Sequence, residues 1–309
     1  MDAAIKKIPY GMTNFESIIS DNYYYVDKTH YIALVEDTSR FFFFVRPRRF
    51  GKSITASMIA AYYSRGCDAK ELFSPYKIAR NLDFDTYRNK YNTLFLNMQE
   101  FLSRTKNIYE LLDRMKRLVL RDLKREYPNV DYFDDTDLIE SMQDVYQETN
   151  CPFVVIIDEW DWIFREYKQD KEAQEIYLDF LRDMLKDKSC IALAYMTGIL
   201  PIKKYGTHSA LNMFDEFSMI NPGPLASYVG FTELEVAALC TDYHMDLDEI
   251  KAWYNGYSFE KIPSIYNPRS VVSCMRFGKI GNYWNQTETF EALQIYIDMN
   301  FEGLKDDVL

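Results

Sequence analysis

Four apolar runs set the rhythm of this chain: Phe41 to Val45 (FFFFV), Tyr91 to Met98 (YNTLFLNM), Phe153 to Ile157 (FVVII) and Ile191 to Met196 (IALAYM). The unbroken runs FFFFV and FVVII have the form of central parallel strands buried on both faces. Between the runs the period changes to that of a helix. Ile54, Met58, Ala61 and Tyr62 predict a helix over 54–64. Ile108, Leu111, Leu112, Met115, Leu118 and Val119 recur at i, i+3, i+4, i+7 and predict a long amphipathic helix over 105–126, with Arg and Lys on its solvated face. Ala173, Ile176, Tyr177, Phe180, Leu181, Met184 and Leu185 predict another over 170–187. Strands alternating with helices predict an α/β fold built on a parallel sheet.

The pattern shifts after Pro222-Gly223-Pro224. Thr232 with Glu235 three positions on predicts a capped helix, and Leu247 to Tyr254 predicts a second. Asn255-Gly256 predicts a turn, and Ser270 to Met275 a last helix. The expected division is therefore a domain over 1–224 and a small, mostly helical domain over 225–309. Near the start, Asp27 is placed to cap a short helix carrying Ile32, Leu34 and Val35. Tyr23-Tyr24-Tyr25 suggests a strand or packing segment, or aromatic cover for a nucleotide base.

The chain has 309 residues, 48% hydrophobic and 27% charged, with a net charge of −11. An acidic surface repels polyanions, so nucleic acid is not an expected partner of this segment. A concentrated basic stretch, Arg46, Arg48, Arg49 and Lys52, suits a small polyphosphate instead. The five cysteines lack metal or disulfide spacing, and His30, His208 and His244 lack ligand spacing. Neither a secretion signal nor a membrane span is evident, so a soluble cytoplasmic protein is expected.

The basic stretch stands where chemistry is expected. Arg46-Pro47-Arg48-Arg49-Phe50-Gly51-Lys52-Ser53 follows an apolar strand and precedes a helix, the setting of a phosphate-binding P-loop. Loop N–H groups and the helix dipole would face an anion. Lys52 would reach the β- and γ-phosphates of ATP, and Ser53 would hold Mg²⁺. Arg46 occupies the slot where this motif usually has glycine; the plainer alternative is a surface turn with a basic patch.

Asp158-Glu159 closes the FVVII strand in the form of a Walker B motif. Asp158 would bind Mg²⁺ and Glu159 would polarise the attacking water. Thr197 ends the IALAYM strand, where it would sense the γ-phosphate or satisfy a turn before Gly198. Arg48 or Arg49 would contact phosphate in cis, or a neighbouring subunit would supply an arginine. Lys203 and Lys204 suggest a solvated pair.

The ordered segments IPYG–NF, YVDKT, RPRRFGKS, IIDEWD, TGILPI, SALNMF, WYNGY and YNPRSV resemble the bacterial AAA-ATPase-like family, P-loop NTPases related to AAA+ and STAND proteins. The resemblance spans nearly the whole chain, and in that family RPRRFGKS is the usual form of the loop. It implies an ATP site at Lys52, Ser53, Asp158 and Glu159, and members that often continue into a PD-(D/E)XK nuclease-like domain. That pattern is absent after residue 270, and the chain stops at Leu309. The leading expectation is an Mg²⁺-dependent ATPase acting as a conformational switch, alone, as a homo-oligomer or with a partner protein. The alternatives are a nucleotide-binding module without turnover, or the ATPase part of a nucleic-acid effector.

Overall fold

The computed structural model describes residues 5–202, 211–219, 221–228, 230–259 and 262–283. Lys203, Lys204, His208 and the stretch after Tyr283 lie outside them. Among the described residues five parallel strands form one sheet, in the order β2-β3-β4-β1-β5. They are β1 (Phe41–Val45), β2 (Asn92–Asn97), β3 (Phe153–Asp158), β4 (Ile191–Gly198) and β5 (Asp215–Phe217).

Pleating sends successive side chains to opposite faces. Phe43 and Val45 enter a core built with the helices Ile108–Glu126, Leu138–Thr149 and Lys171–Leu185. Phe42 and Phe44 enter a second core under α1 (Phe15–Ser20), α2 (Tyr31–Thr38) and α3 (Lys52–Tyr63). This explains the unbroken apolar runs: a strand covered on both sides has no polar face to alternate with. The long helices start where a side chain satisfies a free N–H. Asn107 accepts from Glu110 N–H at 2.9 Å, and Asp170 from Ala173 N–H at 2.9 Å. On the exposed face of Ile108–Glu126, Arg117 pairs with Asp113 and Lys124 with Asp135, each at 2.8 Å.

Strand register brings the ends that matter together. Val45 lies opposite Gly198, and Asn97 opposite Asp158. The strands β1, β3 and β4 therefore finish along one edge of the sheet, and their following loops share one space.

Beyond β5 the chain forms a smaller antiparallel sheet, ordered β6-β8-β7: β6 (Phe231–Thr232), β7 (Asn255–Phe259) and β8 (Ile262–Tyr266). Around it lie the helices Glu233–Tyr243, Leu247–Tyr254 and Pro268–Phe277. Thr232 and Glu235 form the expected reciprocal capping box. The residues before α2 reach across to this part. Tyr243 Oη donates to Lys6 O at 2.6 Å, Tyr24 Oη to Asp242 at 2.9 Å, and Lys28 Nζ to Glu235 at 2.7 Å.

Three local expectations change. Asp27 does not cap α2, which starts at Tyr31 after His30. Its carboxylate instead accepts from Thr29 N–H and Oγ and from Lys77 N–H, bracketing the chain to the turn at 77–80. Tyr23 to Tyr25 is irregular rather than extended into a sheet; Tyr25 packs edge-on to Phe15 and Tyr76. Asn255-Gly256 is no turn but the start of β7, because Asn255 pairs with Tyr266 across the small sheet.

Candidate functional site

The loop after β1 narrows onto the first turn of α3. Gly51, the residue before that helix, has φ +79°, and Arg49 has φ +69°. Left-handed positions of this kind curl a loop so that backbone N–H groups converge on an anion. Lys52, the first helical residue, is only 4% exposed. Its Nζ donates to Arg46 O and Pro47 O, each at 3.1 Å, and lies 4.0 Å from Glu159 Oε1. Burial pulls its pKa below the usual lysine value, and nearby Glu159, Asp161 and Asp158 oppose that fall.

Asp158 ends β3 fully buried and accepts a hydrogen bond from the Thr197 hydroxyl of β4. Burial raises its pKa; Thr197 and the neighbouring Ser53 side chain partly offset the rise. Glu159 follows at φ +56°. Its N–H donates to Thr197 Oγ at 3.3 Å, and its carboxylate is paired with Arg165. Burial pushes Glu159 up, but Lys52 and Arg165 outweigh it and hold the carboxyl below its usual range.

A cavity of about 1120 Å³ opens over this edge. Lys52, Ser53, Asp158 and Glu159 line its floor together with Arg48, Arg49, Phe50 and Gly51. Ile8, Pro9 and Met12 form one wall; Leu239, Arg269 and Val272, from the smaller part, form another. Tyr24 and Tyr25 also border it.

Three residues expected at the site stand differently. Arg46 points away from the cavity: its guanidinium is wholly buried, donates to Val45 O and Phe217 O, and lies 4.0 Å over the Phe44 ring. Its side chain packs the sheet and does not charge the loop. Pro47 contributes its carbonyl to Lys52 and is not on the cavity wall. Thr197 sits on the strand between β1 and β3, but its buried hydroxyl is committed to the Asp158 carboxylate and the Glu159 N–H rather than facing the cavity. Phe50 borders the cavity while anchoring the loop in the smaller part, against Ile265 and edge-on to Tyr257 at 5.2 Å.

The residues sequence reasoning passed over are Arg165, Asp161 and Arg269. Asp161 and Arg165 stand at i, i+4 spacing, which brings such a pair together on a helical turn. Arg269 follows Pro268 at the first turn of its helix and lines the cavity, its guanidinium donating to the Tyr10 hydroxyl and lying 3.6 Å from the centre of that ring. Its pKa is lowered by burial first, and then by Arg49 and Arg276.

The donor set can be tested against Mg²⁺. This ion takes one or two protein oxygens and completes its shell with water and phosphate. The Ser53 hydroxyl lies beside the Asp158 carboxylate, a hard oxygen pair that fits. Among the described residues no group of three or more His, Cys, Asp or Glu is arranged to hold a metal by itself. No helix of the described residues is long and apolar enough to cross a membrane.

Two comparisons place this geometry among known proteins. The "Uncharacterized protein in vnfD 5'region" of Azotobacter chroococcum mcd 1 is 28% identical over 295 residues, covering 92% of this chain and 54% of that protein. The chain thus spans about half the length of that relative. A family model described as "Predicted AAA-ATPase" matches residues 9–207, which hold the loop, both acids and Thr197. With that match laid over a parallel sheet whose strand ends converge on one cavity, the chain belongs to the AAA-ATPase-like family.

Proposed function

We propose that this protein binds ATP with Mg²⁺ in the cavity and hydrolyses it, the part beyond residue 225 shifting with nucleotide state. The observation that carries this reading is the meeting of Lys52, Ser53, Asp158 and Glu159 on one cavity floor. In this reading the N–H groups at the start of α3 and the Lys52 ammonium take the β- and γ-phosphates. Ser53 and Asp158 would hold Mg²⁺, which would supply charge neutralisation at the phosphates. Glu159 orients water, and Thr197 fixes both acids. Arg48, Arg49 and Arg269 add positive charge around the phosphates.

Two substitutions test it. Lys52→Ala is expected to weaken ATP affinity by about 100-fold or more, since a buried cation facing the phosphates is lost. Glu159→Gln should keep ATP binding and lower steady-state phosphate release by about 100-fold. If both variants bind and turn over ATP like the native protein, the reading is wrong. A second reading, a nucleotide-binding module without turnover, is favoured by one observation: the Glu159 carboxylate is already occupied by Arg165. Phosphate release beyond one equivalent per protein chain rules it out.

A further inference from the structure

Glu159 is the group assigned to water, yet it carries a guanidinium. The same Arg165 Nη2 that holds Glu159 Oε2 lies 3.5 Å from Asp161 Oδ1. Asp161 is wholly buried. Its Oδ2 accepts from Ile199 N–H at 3.0 Å and Leu200 N–H at 2.9 Å, so the carboxylate is fixed in place. Its Oδ1 has no hydrogen-bond partner among the described residues, and neither do Arg165 Nε and Nη1. Buried polar atoms left unpaired are costly, and here donors and an acceptor that would satisfy one another stand almost in reach. The Trp162 ring lies 4.4 Å beneath the guanidinium, a flat surface that keeps a cation in contact over a short displacement.

We propose that Arg165 is a movable positioning residue: it parks the Glu159 carboxylate in the nucleotide-free protein and passes to Asp161 when a triphosphate occupies Lys52. This rests on the hydrolytic reading of Glu159 given above. In the resting arrangement Glu159 lies between two cations, Arg165 and, at 4.0 Å, Lys52. A bound polyphosphate takes Lys52 and sets negative charge beside Glu159, so the carboxylate loses one cation and is pushed off its seat. Arg165 then completes the open Asp161 Oδ1, and Glu159 is released to take a proton from water. The handover needs no backbone rearrangement, because Asp161 is already tied to the loop after β4.

The test uses the full chain and three variants. Asp161→Asn keeps an acceptor for the two amides but lacks the charge that draws Arg165 away; kcat should fall about tenfold with ATP affinity within about threefold of native. Arg165→Met removes the parking group and should raise kcat several-fold. Arg165→Met combined with Asp161→Asn should recover the kcat of Arg165→Met alone, because no arginine remains to be trapped. A purely structural role would instead make the double variant slower than either single one, and that result overturns the assignment. So does an unchanged kcat in Asp161→Asn. If Arg165→Met yields no folded protein, Arg165→Lys decides: higher turnover supports the handover, and equal or lower turnover overturns it. Native turnover that Glu159→Gln does not lower would overturn the hydrolytic reading and this one with it. Turnover that depends on Glu159 but shows an additive double variant overturns the Arg165 assignment alone.

Discussion

Replacing Arg46 with glycine restores the residue that a P-loop usually has at this slot, and the structure predicts damage rather than repair. Arg46 is 0% exposed. Its Nη1 donates to Val45 O at 2.6 Å and to Phe217 O at 2.8 Å, the latter tying the end of β5 to β1. Burial pushes the guanidinium down to about 10, a fall worth roughly 3 kcal/mol against the charged form. Against that stand two charge-assisted bonds of about 1.5 kcal/mol each and a desolvated cation–π contact of about 2 kcal/mol. Nε and Nη2, buried without a hydrogen-bond partner among the described residues, offset that surplus, so the electrostatics come out near zero. The larger loss is apolar: three buried methylenes at about 0.8 kcal/mol each, with a cavity cost on top. Arg46→Gly is therefore expected to lose about 4 kcal/mol in urea unfolding. Arg46→Met, which keeps the stem, should lose about 1–2 kcal/mol. Affinity of the folded fraction for a fluorescent ATP analogue should stay within about twofold in both, since the side chain never reaches the cavity. A glycine variant within about 1 kcal/mol of native, or one that loses nucleotide affinity as Lys52→Ala does, would refute the packing role.

Three further outcomes follow from buried contacts. Thr197→Val keeps the side-chain shape but removes the donor to Asp158 and the acceptor for Glu159 N–H. Stability should drop by about 2 kcal/mol, and calorimetry should show weaker Mg²⁺-dependent nucleotide binding; unchanged binding would separate Thr197 from the site. Burial lifts Glu36 to about 7, only partly opposed by the hydroxyl of Tyr63. The native state then holds this proton more tightly than the unfolded chain, so the contribution is full below about 4.5 and is lost as pH rises through 7. Glu36→Gln should flatten that loss and be more stable by about 1 kcal/mol at pH 8, after allowance for solvent screening; urea curves that run parallel at pH 5 and pH 8 would contradict it. Gly198 leaves no room for a side chain: a Cβ would lie 2.6 Å from Trp160 Nε1 and 3.0 Å from Asp161 Oδ1. Gly198→Ala should cost about 2–3 kcal/mol and alter the tryptophan near-UV signal, and a native-like spectrum with native stability would show that the strand end yields freely.

Much of the sheet was legible because strands covered on both faces leave continuous apolar runs. FFFFV and FVVII could be little else, and the residues after them marked the loop before α3 and a pair of acids as the places to look for chemistry. Side-chain direction was not legible. In Arg46-Pro47-Arg48-Arg49 each arginine reads as a basic donor, yet the turn sends Arg46 into the core and leaves Arg48 and Arg49 at the cavity. The helix Leu138–Thr149 gave too weak a pattern to stand out between its neighbours. The small sheet was hidden for a different reason. β6 has two residues, and β7 alternates only between half-buried and exposed positions, so neither carries an apolar stripe. Asp27 misled because a side chain bound to the second N–H after it looks, in sequence, like a helix cap whether or not a helix follows.

The distribution of charge explains how an acidic chain can select an anion. The net charge of −11 sets the far field, which repels polyanions. Some basic residues away from the cavity are neutralised by their neighbours, as Arg117 is by Asp113 and Lys124 by Asp135. Around the cavity the balance reverses: Arg48, Arg49, Lys52 and Arg269 border one space, and the burial of Lys52 weakens the water screening that would mute its charge. A ligand small enough to enter meets the local field, whereas an extended polyanion meets the global one. Two of these cations also come from different parts of the chain, Arg49 from the loop and Arg269 from the helix beyond the small sheet. Phe50, one residue after Arg49, is packed into that sheet beside Ile265. On the proposed reading, an anion drawing Arg49 and Arg269 together would act on the same contact that holds the loop to the smaller part, and binding would be coupled to the placement of that part through Phe50.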